Sequence, residues 1–185
     1  FASDFHLGSP NYETSNSREK EICRWLDSIK DKASEIYFLG DTFDFWFEYK
    51  AVVPKGYIRF LGKLAELNDR GVKLHMCVGN HDLWIGKYLQ IECGVTVFSE
   101  PKTIQIGSFK YHIHHGDGLG PGDNRYKFLK KIFTNFWAQK AFKWLHPDMG
   151  FSLASYFSRK SRASEKTEER IFKGYENEFL ISYCD

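Results

Sequence analysis

Residues 35–46 have the sequence EIYFLGDTFDFW, and this stretch decides the fold. Its first part, Glu35–Leu39, is a short apolar run that predicts a buried β-strand. The run stops at Gly40 and Asp41, so a polar loop begins where the strand ends, and Asp44 completes the pattern G-D-x-x-D. Such a strand, with carboxylates directly at its carboxyl end, is typical of α/β folds that bind ligands at that edge of the sheet.

Helical and extended patterns alternate on both sides of this stretch. Apolar residues at helical spacing predict helices over residues 17–31, with Ser17 as N-cap, over 56–70 and over 84–92. Short apolar runs predict strands over residues 1–3, 72–78 and 95–98, and a hairpin of 103–106 with 109–114. Alternation of this kind predicts an α/β fold.

The composition excludes several classes of protein. The 185 residues carry 26 Lys and Arg against 24 Asp and Glu, and a net charge of +2 excludes a strongly basic nucleic-acid arm and an acidic disordered tail. With 42% hydrophobic and 17% aromatic residues, the chain can bury a sizeable core. The four cysteines have no C-x-x-C spacing, which argues against a zinc ribbon and favours a reduced, cytoplasmic protein. No apolar run is long enough for a transmembrane helix.

The composition changes after residue 118. Between residues 123 and 162, nine Lys and Arg outnumber two Asp, so this segment carries a charge of +7. It also holds ten aromatic residues, and its helical pattern is broken at His146 and Pro147. We expect a core over residues 1–118, a basic and aromatic helical cap over 119–175, and a truncated return to the core over 176–185.

Four polar clusters follow predicted strands. They are Asp4-Phe5-His6, Gly40-Asp41-Thr42-Phe43-Asp44, Gly79-Asn80-His81-Asp82 and His115-Gly116-Asp117. Each cluster alone is common, but their joint occurrence, each after a strand, argues for one shared site. Carboxylate, amide and imidazole donors together suit Mn²⁺, Fe²⁺ or Zn²⁺ better than Cu(I). A bridging carboxylate can hold two such metals, which together activate water and clamp a phosphoryl group.

The clusters resemble the calcineurin-like metallophosphoesterases, whose motifs are D-x-H, G-D-x-x-D, G-N-H-D/E, a His before Gly, and G-H-x-H. The resemblance implies an α/β fold of the layered αββα sandwich type with a helical cap insertion, and a hydrolase with two divalent metals. By it, Asp4, His6 and Asp41 hold one metal. Asp41, Asn80 and His115 hold the other, with Asp41 as the bridge.

The same resemblance assigns roles beside the metals. His81 stabilises charge on the phosphate or protonates the leaving group, and Asp82 orients His81 from behind. The other histidines are expected to be structural or bystanders, and these are His75, His112, His114 and His146.

The fifth motif, G-H-x-H, does not occur in the 185 residues. In the family it lies further along the chain, and its two histidines complete both metal sites. We therefore expect these residues to be part of a longer protein and to bind metal more weakly by themselves. Whether they are active alone stays open.

Residues 3–8, 40–46 and 115–119, together with the cap, resemble one branch of this family more narrowly. That branch hydrolyses the pyrophosphate of UDP-2,3-diacylglucosamine in lipid A biosynthesis, depends on Mn²⁺, and works at the cytoplasmic face of the inner membrane. The resemblance implies a nucleotide-sugar lipid substrate contacted by Asn80, Asp123, Tyr126, Arg159, Ser161 and Arg162. Cations beside aromatic residues suit a substrate with acyl chains and a diphosphate near an anionic membrane.

Two other functions stay open on the sequence. The protein could be another calcineurin-like phosphodiesterase or phosphatase acting on a nucleotide or phosphoprotein, and several members of the narrower branch carry Arg where this chain has His81. It could also be a non-catalytic lipid-binding homologue, although the intact metal clusters argue against a lost site. The low net charge argues against a dedicated nuclease. The physiological metal, the preferred acyl chain and the oligomeric state are not determined by the sequence.

Overall fold

A computed structural model describes residues 1–119, 124–165 and 183, with the side chains of residues 125 and 159–165 outside the description. The chain divides into two compact units, Phe1–His115 and Gly116–Asp185. The elements of the first unit are α1 (Tyr12–Ile29), β1 (Glu35–Leu39), α2 (Ile58–Asp69), β2 (Lys73–Cys77), α3 (Tyr88–Cys93), β3 (Val95–Phe98), β4 (Lys102–Ile106) and β5 (Phe109–Ile113). Those of the second are α4 (Asn124–Phe133), α5 (Phe136–Phe142) and α6 (Pro147–Glu165). Within the described ranges, no helix is both long and apolar enough to cross a membrane.

A parallel sheet in the order β1-β2-β3 forms the centre of the first unit, which confirms the predicted α/β class. The register places Leu39 beside Cys77 and Cys77 beside Phe98, so the three strands end at one edge of the sheet. Ala2 forms a parallel bridge with Phe38, and the chain after Ala2 therefore runs toward the same edge. This arrangement directs the polar clusters after the strands to one place.

Helices α1 and α2 cover one face of the sheet. Phe60 of α2 lies edge-on to Phe38 of β1, with ring centroids 5.8 Å apart. The main contributors to this core are Ile22, Leu26, Ile36, Phe38, Phe60, Leu64, Leu67, Leu74, Met76 and Val95. Phe43 and Trp46, from the loop after β1, are also fully buried. The loop that carries Asp41 is therefore anchored in the core by its own aromatic side chains.

Aromatic rings cover the opposite face of the sheet. Tyr37 of β1 stacks on His75 of β2 with centroids 4.3 Å apart, and Phe1 stacks on Tyr37 at 5.1 Å. Tyr111, from the hairpin of β4 and β5, stacks on Phe1 at 5.9 Å. His75, expected to be a bystander, thus lies in this aromatic layer.

Two helix boundaries differ from the prediction. The prediction of Ser17 as N-cap is wrong: α1 begins at Tyr12, because the Asn11 side chain accepts a hydrogen bond from Thr14 N at 2.9 Å. The third helix begins at Tyr88 rather than at residue 84, because Trp84 forms a bridge with Phe47 instead. A tertiary contact therefore replaces a helical turn that the local pattern favours.

The described part of the second unit is helical. Asn135 caps α5 by accepting from Trp137 N and Ala138 N, and the predicted helix break at 146–147 is confirmed by the start of α6 at Pro147. The division of the chain at His115 lies three residues before the predicted end of the core at 118. The expected return over residues 176–185 lies outside the described residues, apart from Tyr183, and stays a prediction.

A buried carboxylate of α1 caps α2. Glu19 is 5% exposed, and its Oε1 accepts from Arg59 N at 2.8 Å and from Phe60 N at 3.0 Å. The helix's own N-cap residue, Tyr57, has a φ of 57° and no side-chain capping bond. Glu19 therefore satisfies backbone donors that α2 leaves open, and its charge opposes the positive end of the helix dipole.

Replacement of Glu19 by Ala is expected to lower the free energy of unfolding by about 1–3 kcal/mol, because two N–H groups at the start of α2 lose their acceptor. The free energy of unfolding is measured by urea denaturation of the metal-free protein. The matched control is Glu21→Ala, two residues further along α1, where the exposed side chain forms an ion pair with Arg24 at 4.0 Å. Equal stability of the two variants would contradict the capping role.

Candidate metal centre

Three of the clusters predicted from sequence lie on loops at the carboxyl edge of the parallel sheet, and the fourth follows β5 of the hairpin, from which His115 reaches Leu39 O at that edge. The backbone of the first loop runs alongside that of the second, since Asp4 N donates to Gly40 O at 3.1 Å and His6 N donates to Asp41 O at 2.8 Å. Asp4, His6 and Asp41 have φ values of 58°, 44° and 50°, in the left-handed region that non-glycine residues rarely occupy. Local backbone strain of this kind is concentrated at functional sites, where the surrounding structure maintains it.

Asp41 occupies the centre of the site. Its buried carboxylate places Oδ2 at 3.8 Å from His6 Nε2 and 3.5 Å from His115 Nε2, while Oδ1 accepts from His81 N at 2.9 Å. Gly79 permits this approach, because a Cβ there would lie 2.1 Å from Asp41 Oδ1. Burial would raise the pKa of Asp41, but the hydrogen bond and charge of His115 and the charge of His81 outweigh it and hold that pKa below its ordinary value.

Two groups of donor atoms share Asp41. In one, Asp41 is joined by His6 and His81, and in the other by Asp4 and His115, with all donor atoms of a group within 4.8 Å of one another. The family resemblance instead placed Asp4 and His6 on the same metal. In the structure, His6 Nε2 lies 3.8 Å from Asp4 Oδ1. Both arrangements give two oxygen- and nitrogen-donor sets around one carboxylate, which suits a pair of borderline divalent cations.

The ring of His115 is oriented for metal binding. Its Nδ1 lies 2.9 Å from Leu39 O, and because a carbonyl only accepts, Nδ1 carries the proton. In the metal-free protein an Nε2 proton bonds Asp41 Oδ2, and a bound cation would take the place of that proton. The Nε2 lone pair would then face the cation beside Asp41 Oδ2 and the Asn80 side-chain oxygen, 3.0 Å away. Three acceptor atoms directed at one point are the chemistry that a cation satisfies, and the residues present therefore fit a metal. A Cβ at Gly40 would lie 2.3 Å from Nδ1, so glycine is required there.

Asp44 is a site residue to which the sequence analysis gave no role. Its Oδ1 lies 3.6 Å from His81 Nδ1, and both side chains are largely buried. The His81 ring also meets the His6 ring edge-on, with centroids 4.9 Å apart. Asp44 could have been recognised from the sequence as the second carboxylate of G-D-x-x-D. Its position beside His81, however, is set by the fold.

Asp82 joins two ligand loops. It is fully buried, and its carboxylate accepts from Gly79 N at 2.7 Å and from Phe43 N at 3.2 Å. These bonds go to backbone rather than to the ring of His81, so any orientation of His81 by Asp82 acts through the loop. Burial and then the charge of Asp41 raise the pKa of Asp82 to about 7, although the two backbone donors act in the opposite direction.

The candidate substrate contacts of the cap are only partly described. Tyr126 donates its hydroxyl hydrogen bond to Asp117 Oδ2, and Lys130 Nζ lies 2.5 Å from the same oxygen. Asp123 and the side chains of Arg159, Ser161 and Arg162 lie outside the described residues. Their assignment stays a prediction.

None of the other described histidines belongs to the donor groups around Asp41. His112 Nδ1 lies 3.1 Å from Thr103 Oγ1 across the hairpin, and His146 is exposed beside Asp148. His114 belongs to neither donor group found among the described residues.

Comparison with known proteins agrees with this geometry. The family model for calcineurin-like phosphoesterases matches residues 1–175. The chain is similar to a UDP-2,3-diacylglucosamine hydrolase of Porphyromonas gingivalis, with 39% identity over 97% of this chain and 70% of the relative. Proteins of the same name from Yersinia enterocolitica and Hamiltonella defensa are each 29% identical, over 75% and 90% of this chain. The chain spans 58% and 63% of the length of these two relatives.

The raised pKa of Asp82 predicts a pH dependence of the metal-free protein. The folded state holds this proton more tightly than the unfolded state, so the contribution of Asp82 to stability is complete below about pH 4 and is lost as pH rises toward about 7. Asp82→Asn removes the titrating group, so the decline between pH 4 and 7, at most about 1.4 kcal/mol per pH unit, is expected to disappear. Urea denaturation in chelator measures it, with Asp69→Asn as control, and an unchanged slope in Asp82→Asn would contradict the assignment.

Proposed function

This chain belongs to the calcineurin-like phosphoesterase family, and we propose that it hydrolyses the pyrophosphate bond of UDP-2,3-diacylglucosamine to UMP and 2,3-diacylglucosamine 1-phosphate. The observation that carries the hydrolase assignment is the pair of donor groups that share Asp41. The substrate is supported by relatives named for this reaction, one of which is aligned over 97% of the chain. We further propose Mn²⁺ as the metal, because the branch that the sequence resembles depends on Mn²⁺, and the mixed carboxylate, amide and imidazole set is compatible with Mn²⁺ as it is with Fe²⁺ and Zn²⁺.

In this proposal Asp4, His6 and Asp41 hold one cation, and Asp41, Asn80 and His115 hold the other. When bound, the cations supply Lewis-acid activation of water and neutralise charge on the phosphoryl oxygens. The low pKa of Asp41 keeps its carboxylate ionised and available to both sets. The backbone bond from His115 Nδ1 to Leu39 O keeps the Nε2 lone pair directed into the site.

The side chain of His81 completes the reaction centre. Water adds to the α-phosphorus of the UDP group, and the bond from that phosphorus to the bridging oxygen breaks, so the sugar 1-phosphate leaves. His81 stabilises the charge that develops on the phosphoryl oxygens or protonates the leaving oxygen. Asp44 Oδ1 lies 3.6 Å from His81 Nδ1, the ring nitrogen opposite Nε2, and helps to orient the ring.

The cap is proposed to receive the lipid part of the substrate and to contact the membrane at the cytoplasmic face. Phe136 and Trp137 of α5 are 67% and 70% exposed, and Trp144, in the turn after α5, is 86% exposed. Lys140 Nζ lies 5.4 Å from the centre of the Trp137 ring, so a cation and an apolar surface lie side by side. Such a surface suits both acyl chains and anionic headgroups. Tyr126, Asp123, Arg159, Ser161 and Arg162 are the proposed contacts to the polar part of the substrate.

The substrate assignment is tested by Mn²⁺-dependent release of UMP from UDP-2,3-diacylglucosamine, measured on the complete gene product. Bis-p-nitrophenyl phosphate serves as the comparison substrate, because it needs the metal centre and no lipid-binding surface. Fast release of UMP with slow cleavage of the comparison substrate is the expected result. Cleavage of the comparison substrate alone would support a phosphoesterase but contradict the lipid substrate. Lipid binding without any turnover would favour a non-catalytic homologue.

Asp41→Ala is expected to reduce kcat/KM to less than about a tenth of the wild-type value, because both metal sets lose their shared ligand and clamping by two metals contributes several kcal/mol. Asp69→Ala, which removes an exposed carboxylate at the end of α2, is the control and should leave the rate unchanged. A kcat/KM of Asp41→Ala above a tenth of the wild-type value would contradict the proposal that Asp41 is shared by two metals.

A further inference from the structure

Arg18 of α1 binds the backbone of the first ligand loop. Its Nη1 lies 2.9 Å from Phe5 O, 2.9 Å from His6 O and 3.2 Å from Ser9 O. The side chain is half-buried, and all three acceptors belong to the segment that carries Asp4 and His6. Nη1 has two N–H groups, so the three carbonyl oxygens share two charge-assisted hydrogen bonds, which are stronger than neutral ones and restrain this short segment.

The loop needs such a restraint because its backbone is strained. Asp4 and His6 both have left-handed φ values, and their N–H groups are directed at the second loop, toward Gly40 O and Asp41 O. The carbonyl groups of Phe5 and His6 face the other way, toward Arg18. The loop is therefore held from two sides, by the Asp41 loop through its donors and by Arg18 through its acceptors.

We propose that Arg18 is a positioning residue of the metal centre, which fixes the loop so that Asp4 and His6 stay directed at Asp41. This inference rests on the proposed metal-dependent function. Arg18 acts through the backbone and is not itself a ligand. Groups that orient metal ligands typically change metal affinity by 10–100-fold when they are removed. Lys is a poorer residue here, because its Nζ lies one bond nearer the backbone than Nη1 and ends a flexible stem, whereas the rigid, planar guanidinium holds Nη1 at a fixed position.

The direction of the effect distinguishes positioning from simple electrostatics. Arg18→Met removes a positive charge near a cation site, and by Coulomb's law alone this change would strengthen metal binding. Loss of the loop restraint would weaken it. Arg18→Lys keeps the charge and removes only the geometry, so both variants are expected to bind metal more weakly than the wild type if Arg18 acts by positioning.

The experiment measures Mn²⁺ affinity of the complete, metal-free gene product by competition with a chromophoric chelator. The control is Arg24→Met, which removes the same charge from an exposed site on the same helix, where Arg24 forms an ion pair with Glu21 at 4.0 Å. Arg18→Met and Arg18→Lys are expected to bind Mn²⁺ about tenfold more weakly, and Arg24→Met within twofold of the wild type. Circular dichroism establishes that each metal-free variant is folded at the titration temperature.

A loss below threefold in a folded Arg18 variant, or tighter binding by Arg18→Met, would overturn the inference. If Arg18→Met does not fold, Arg18→Lys decides by the same threshold, because it keeps the aliphatic stem and the charge. Failure of the wild type to bind Mn²⁺ would instead remove the proposed function, and the role of Arg18 with it. Normal binding by the wild type and both variants would remove the role of Arg18 alone.

Discussion

The burial of the Asp41 carboxylate is the constraint on which the rest of the site depends. An anion removed from water is costly unless donors and cations surround it. Here one oxygen accepts from the backbone of His81, and the other faces the imidazoles of His6 and His115. Asp41 reaches this position at the edge of the sheet through a left-handed backbone conformation, and Gly79 leaves room for its carboxylate because it has no Cβ. A pair of divalent cations would complete the compensation of charge, which is why the geometry supports a two-metal hydrolase.

The ligand loops are held in place by groups that do not themselves bind metal. Asp82 joins the loops after β1 and β2 through two backbone N–H groups, and Arg18 holds the first loop through three carbonyl groups. Glu48 adds a third link, since it accepts from Trp46 Nε1 and from the backbone of Gly86 and Tyr88. The distances around Asp41 therefore depend on charged side chains that form hydrogen bonds with backbone, a common way to orient metal ligands.

The two compact units supply different chemistry. The first provides a buried, polar donor set on a parallel sheet, and the described helices of the second expose Trp and Phe side chains beside lysines. A substrate that joins a diphosphate to acyl chains needs both kinds of surface. Relatives named for UDP-2,3-diacylglucosamine motivate the proposal that the cap contacts such a substrate.

The order of strands and helices, the hairpin and the four clusters of metal-binding residues could be predicted from the sequence, because each depends on local periodicity or on a short motif. The α/β class followed from that alternation, and the convergence of three clusters followed from a general property of parallel strands, whereas His115 comes from the antiparallel hairpin. The tertiary structure decided what depends on contacts between distant segments. Two of these contacts are the pairing of Asp44 with His81 and the hydrogen bonds of Asp82 to backbone N–H groups. The others are the hydrogen bonds of Arg18 to the first loop and the bridge of Trp84 with Phe47, because of which α3 begins later than predicted. No local pattern encodes such contacts, because their partners meet only after the chain has folded.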